Sequence, residues 1–322
     1  MTLCMAAECT HRDKRAIVLC RDWLAQKGSV TSDDADKQRN IDDYGLSCRV
    51  LIAGSPTRAD HLLMACEPAI REFMRKNSPT DTDIDTDKLL QDLKIATKLV
   101  RRDLVNNWVE STLNMDFNDF RQHGRKDLHE SHYHDIWETV RRYDIGAELL
   151  ITLFDAEGDA VVIRTDGLGE VFWESDYAVI GSGGEIARAF LCQVDYDPGR
   201  MSLKDCIYEV LKAKYSAEIS REVGRGTTVL VTARGEKDLY LSKKGHDYYE
   251  DLLIPYKTPE LKFEDDFLER DDENEVSSKG EQENSEPADA GDEQSGGPGS
   301  VGSQVGDSTQ GSGVPGDGSP QS

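Results

Sequence analysis

Short apolar runs and long runs at helical spacing come in separate blocks along this chain, and that block order restricts what it can fold into. Leu3–Ala7 and Ala16–Trp23 read as strands, joined by the polar connection Glu8–Arg15. Arg49–Gly54 is a third short, β-branched run, and Ala25–Gly45 before it is polar and suits an ordered loop or short strands. Helical spacing follows. Ala59–Asn77 places Leu62, Leu63, Cys66, Ile70, Phe73 and Met74 on one face, with Pro68 predicting a kink. After the polar break Ser78–Asp87, Lys88–Leu113 predicts a long helix. Asn114–Asp144 predicts more helix, as an insertion with no evident place in a core.

Strands then return at Ala147–Asp155 and Ala160–Thr165, around a Glu157-Gly158 turn, and at Tyr177–Ile180. Helices are expected over Glu185–Val194 and Ser202–Ile219, and a last hairpin over Thr227–Ala233 and Leu239–Ser242. Strands and helices kept in groups predict layers, and hence an α+β domain. Two helix pairs and about eight to ten strands suit two stacked sheets with helices outside.

Composition sets the domain boundary. The chain of 322 residues carries a net charge of −24, and Glu264–Ser322 holds 16 acidic residues against 2 basic ones. That stretch is acidic, then rich in Gly, Ser, Pro and Gln, and has too little apolar surface to order itself. A folded domain over 1–263 and a disordered tail over 264–322 are therefore expected. A nucleic-acid surface would show a basic patch, and none is evident. Seven scattered cysteines without a C-x-x-C pair predict reduced thiols in a cytoplasm. No run approaches the length of a membrane span, and no signal peptide is expected.

The start of the chain carries the strongest chemical suggestion. Met1 precedes Thr2, and Thr2 opens the first strand. Once Met1 is removed, Thr2 holds a hydroxyl and a free α-amino group. That amine, with an ordinary pKa of about 7.7–8.0, can serve as the base that a threonine nucleophile requires.

Several short stretches then fall in one order. Cys20-Arg21-Asp22 ends the second strand, Ala35-Asp36-Lys37 follows in a loop, and Ile52-Ala53-Gly54-Ser55 ends the third strand. Val179-Ile180-Gly181-Ser182-Gly183-Gly184 precedes an alanine-rich helix. Over about residues 2–245 this resembles proteasome β-type subunits and their bacterial relatives, HslV and the Anbu group, among the N-terminal-nucleophile hydrolases. The absence of a helix before the first strand makes the chain β-like and not α-like within that group. The resemblance implies a four-layer αββα sandwich of two antiparallel sheets between helix layers.

It also implies a threonine endopeptidase with Thr2 as nucleophile. Lys37 would lower nearby pKa values and stabilise developing negative charge, and Asp22 would hold Lys37. Gly54 would offer its N–H to the oxyanion. Ser182 would help hold the amine and a water. Glu222, in Arg221-Glu222-Val223-Gly224-Arg225-Gly226, is the candidate for a third group. Further implications are a homo-oligomeric ring enclosing the sites, protein or peptide substrates, an ATPase unfoldase as partner, and no cofactor.

The chain departs from the family where Asp22-Trp23-Leu24 stands for Asp-Ser-Arg, Gly54-Ser55 stands for Gly-Gly, and the first hairpin is longer. Plainer roles exist for each residue. Asp22 and Lys37 could be a surface pair, Gly54 a strand-ending turn, and Ser182 a helix cap. A non-catalytic ring or scaffold subunit and a small-molecule amidase of the same superfamily are the alternative functions. His129, His132 and His134, beside Glu130 and Asp135, suit a solvated helix face better than a metal site.

Overall fold

The computed structural model describes residues 2–23, 25–27, 30–32, 37–77, 85–220 and 223–256. The expected acidic tail, 264–322, lies outside them. The order of elements is β1 (Cys4–His11), β2 (Lys14–Asp22), β3 (Ala25–Lys27), β4 (Val30–Ser32), β5 (Gln38–Asp43), β6 (Leu46–Gly54), α1 (Pro56–Lys76), α2 (Thr86–Leu113), α3 (Phe117–Asp127), α4 (Glu130–Arg141), β7 (Ala147–Phe154), β8 (Ala160–Thr165), β9 (Val171–Glu174), β10 (Tyr177–Ile180), α5 (Gly184–Leu191), α6 (Leu203–Ala217), β11 (Thr227–Ala233), β12 (Leu239–Tyr240) and α7 (Lys243–Leu252), with a final 3-10 turn at Ile254–Tyr256.

Two five-stranded antiparallel sheets carry the fold. One runs β10-β1-β2-β11-β12 and the other β5-β6-β7-β8-β9, while β3 and β4 pair with each other. Successive residues of a strand point to opposite faces, so each strand feeds two cores. In β1, Leu3, Met5, Ala7 and Cys9 face a layer made with α5 and α6, while Cys4 and Ala6 face the second sheet. In β6, Cys48, Val50 and Ile52 pack under α1 and α2, while Leu51 and Ala53 face the first sheet. The seam between the sheets mixes alanines 6, 53, 160 and 178 with larger apolar residues, among them Ile17, Leu19, Leu51, Leu150, Phe154 and Leu230. Helix, sheet, sheet, helix is the expected four-layer sandwich.

Several expectations shift. The stretch Glu8–Arg15 is mostly strand, with the turn confined to Arg12 and Asp13, both at positive φ (51° and 61°). Buried Cys9 and the Glu8–Arg15 ion pair keep those residues in the ladder. The polar stretch before β6 contains β5, paired along its whole length with β6. The strand β9, with Phe172 and Trp173 exposed, and the helix α7 have no counterpart in the sequence reading. The inserted helices α3 and α4 do have a core. Phe120, Ile136 and Val140 close on Val105 and Val109 of α2.

Candidate active site

The first strand begins two residues after Thr2, so the ladder fixes what surrounds that residue. Cys4 is opposite Arg21, and the Asp22 N–H donates to the Leu3 carbonyl at 3.1 Å. The end of β2 therefore lies beside the start of β1. Asp22 is wholly buried there, and Thr2 is 3% exposed. The Thr2 hydroxyl donates to Asp22 Oδ1 at 2.9 Å, and the Leu3 N–H donates to the same oxygen at 3.0 Å. Oδ2 accepts the Gly224 N–H at 2.7 Å.

The counter-charge comes from the other sheet. Lys37 directly precedes β5, and its carbonyl accepts the Ile52 N–H at 2.8 Å. Its ammonium crosses the seam and pairs with Asp22 Oδ1, with only 6% of the side chain exposed. Taking two charges out of water is costly unless each finds its partners. Here the carboxylate has four donors, so the cost is offset by bonds that also fix Thr2. The surface-pair role for Asp22 and Lys37 is thereby set aside.

The amine side is built by a turn. Gly181 sits at φ +91°, and a Cβ there would collide with Thr2. Ser182 follows, and its Oγ accepts from the Thr2 nitrogen at 3.2 Å. The residue capping α5 is Gly183, so Ser182 is spent on Thr2 and not on a helix end. The Gly181 N–H donates to Glu148 Oε2 of β7 at 2.7 Å, which ties this turn to the second sheet.

Gly54 ends β6 at φ +88°, where a Cβ would overlap the Gly146 carbonyl. A side chain is excluded on both grounds. Because N–H groups two apart in a strand point to the same edge, the Gly54 N–H points the way Ile52's does. That edge is the one occupied by Lys37.

Five of the six candidate residues thus lie at one end of the sandwich, with direct bonds among Thr2, Asp22, Lys37 and Ser182. The sixth, Glu222, lies outside the described residues. Glu148 and Gly224 were not singled out from sequence. The first is an ordinary charge in an apolar strand, and the second acts through a backbone N–H. The only sequence signal was the Gly-Arg-Gly run at 224–226.

Thiol chemistry does not compete here. Cys4, the nearest thiol in sequence, is pushed up to about 12 by burial, and Cys20, Cys48 and Cys66 are likewise raised to about 12. At neutral pH they are uncharged and poor nucleophiles. The three histidines lie on exposed positions at the start of α4, with His129 Nδ1 2.9 Å from Ser131 Oγ. Among the described residues no cluster of three His, Cys, Asp or Glu side chains is placed to hold a metal ion.

The family model described as "Proteasome subunit" matches residues 121–232, from within α3 to β11. The Gly-1 mutant of Anbu from Hyphomicrobium sp. strain MC1 superposes with a TM-score of 0.50 at 10% identity, covering 80% of this chain and 94% of that one. The chain has a proteasome-type fold. Anbu from Yersinia bercovieri aligns at 11% identity with a TM-score of 0.49, over 82% of this chain and 100% of its own. Eukaryotic HslV from Trypanosoma brucei aligns at 20% identity with a TM-score of 0.43, over 72% of this chain and 99% of its own. No curated protein matches the sequence. Within this proteasome-type fold, the matched segment contains Ser182 and Gly224, while Thr2, Asp22, Lys37 and Gly54 precede it. Among the described residues no helix is long and apolar enough to cross a membrane.

Proposed function

We propose that this chain is a threonine-type endopeptidase subunit of a proteasome-like ring, with Thr2 as the nucleophile after removal of Met1. The observation that carries the reading is the set of bonds on Thr2. Its hydroxyl is held on Asp22 at 2.9 Å, its nitrogen is held on Ser182 at 3.2 Å, and Lys37 is paired to the same carboxylate.

The chemistry follows from those positions. The Thr2 α-amine accepts the hydroxyl proton as Oγ1 attacks a peptide carbonyl. Lys37 supplies positive charge where the alkoxide develops, and Asp22 keeps Lys37 in place. The Gly54 N–H donates to the oxyanion of the tetrahedral intermediate. Water then hydrolyses the acyl-enzyme, with the amine again acting as base. Ser182 orients the amine throughout. Substrates are proteins or peptides admitted to a homo-oligomeric ring, in partnership with an ATP-driven unfoldase, and the setting is the cytoplasm.

The test begins with the intact mass of the purified protein and its N-terminal sequence. A chain beginning at Thr2, with peptide hydrolysis lost in Thr2→Ala, supports the reading. Full retention of Met1 sinks it, because the Thr2 nitrogen is then an amide and cannot accept the proton. A non-catalytic ring subunit is the reading that would replace it.

A further inference from the structure

Lys214 is the most completely buried charge in the described residues that this mechanism leaves unused. It lies in the last turn of α6, and none of its side chain is exposed. Burial draws its ammonium below the ordinary lysine range, against the attraction of Glu218. Glu218, one turn later, is its ion partner. Lys214 Nζ also donates to the Arg225 carbonyl at 2.7 Å.

A buried ion pair is a weak source of stability, because apolar residues of the same size often do as well or better. The position of this one points to another use. Arg225 is next to Gly224, whose N–H holds Asp22 Oδ2. Val223, in the same loop, fills the space beside Gly183 in the turn that carries Ser182. On the other flank, the Gly226 carbonyl accepts the Trp23 N–H at 3.2 Å, immediately after Asp22. The loop 223–226 is thus the back wall of the Thr2 site, and Lys214 is bonded to its middle.

We propose that Lys214, held by Glu218, is a positioning residue that anchors the 223–226 loop so that the Gly224 N–H stays on Asp22 Oδ2. With Oδ2 occupied, the carboxylate cannot rotate, and Oδ1 stays turned to Thr2 and Lys37. The inference rests on the proposed function for its kinetic readout, but its structural half can be tested without turnover.

Two double variants of the full-length protein separate anchoring from packing. Lys214→Met with Glu218→Leu removes the loop bond and leaves no orphan charge. Lys214→Gln with Glu218→Gln keeps a donor and an acceptor without charge. The readouts are kcat and KM for a peptide, and hydrogen exchange of the amides over 223–226. The first variant is expected to lose about tenfold or more in kcat at unchanged KM, with exchange faster by a similar factor. The second is expected to recover most of both. Wild-type kcat and exchange in the first variant would overturn the proposal, and so would equal losses in the two variants. Should the first variant fail to fold, Lys214→Met with Glu218→Gln, which also removes the loop donor and leaves no orphan charge, carries the same readouts with the same outcomes deciding. A wild-type protein without Thr2-dependent turnover refutes the proposed function, and the exchange data then decide the anchoring by themselves.

Discussion

The seam between the two sheets and the helical cluster at the end of α2 bury their side chains in opposite ways. The seam mixes alanines with aliphatic residues on facing strands and is joined at one end by charge, through Lys37 and Asp22. The cluster is aromatic, with the Phe117 and Trp137 rings stacked at 6.1 Å and Phe120 against Tyr133 at 5.1 Å. Two sheets packed face to face hold their strands in fixed register and so place polar groups accurately across the gap. Large rings fill an irregular space between helices, where packing itself is what the side chains supply. Energy of similar size is therefore expected to have different functional value in the two regions.

The largest effect is expected from Lys37→Met. It leaves the wholly buried Asp22 carboxylate without its cation, at a cost of about 3–5 kcal/mol. Chemical denaturation would report the loss, and peptide turnover should vanish with it. Equal stability in this variant would break the comparison, since the seam would then owe nothing to charge. Phe120→Ala is expected to cost a similar amount, about 3–5 kcal/mol by cavity formation. Its effect should be confined to α3 and α4, seen as faster hydrogen exchange there, while kcat stays at the wild-type value.

A smaller effect is expected at the far end of the first hairpin. Burial raises Glu8 to about 7, outweighing the pull of Arg15 at 3.3 Å. A carboxyl with a raised folded pKa binds protons more readily in the native chain than in the unfolded one. The native state is therefore favoured at low pH, and that advantage is lost as pH rises from about 4.5 to about 7. Glu8→Gln should flatten this part of the stability profile, by on the order of 2–3 kcal/mol across the window. A profile unchanged by the substitution would show that Glu8 stays ionised against Arg15. The smallest effect is expected from thiol labelling. Of seven free cysteines, Cys192 is exposed and the other six are buried. Iodoacetamide should modify Cys192 in the native protein without loss of turnover, whereas loss of turnover would point to a thiol and away from Thr2.

The parts legible in the sequence are those whose environment is uniform. The strands β7, β8, β10 and β11 are covered on both faces, so their apolar runs stand out, and their predicted bounds agree with the structure within a residue. The strand β9 and α7 were missed because exposed Phe172, Trp173 and Tyr248 leave no clean periodicity. The strand β5 falls within a stretch read as a loop or short strands, and its polar composition, Gln-Arg-Asn-Ile-Asp-Asp, with Ile41 alone packed into the core beneath α1 and α2, kept the two options open. Residue order alone brought Thr2, Asp22, Lys37, Gly54 and Ser182 together as candidates, through resemblance. The parts played by Gly224 and Glu148 could not be read that way. One acts through a backbone N–H and the other through a carboxylate aimed at a backbone N–H, and neither leaves a mark in residue type.

The four donors on Asp22 come from the start of the first strand, from the start of the other sheet and from the loop after α6, the last of them 202 positions from Asp22 in sequence. No local piece of the chain can assemble that arrangement. During synthesis Thr2 emerges before Lys37 and long before Gly224, so the lysine meets Asp22 only once the sheets have met, and the Gly224 bond waits for almost the whole domain. On the proposed function, a growing or half-folded chain would therefore be an unarmed one, with completion of the fold itself as the safety catch.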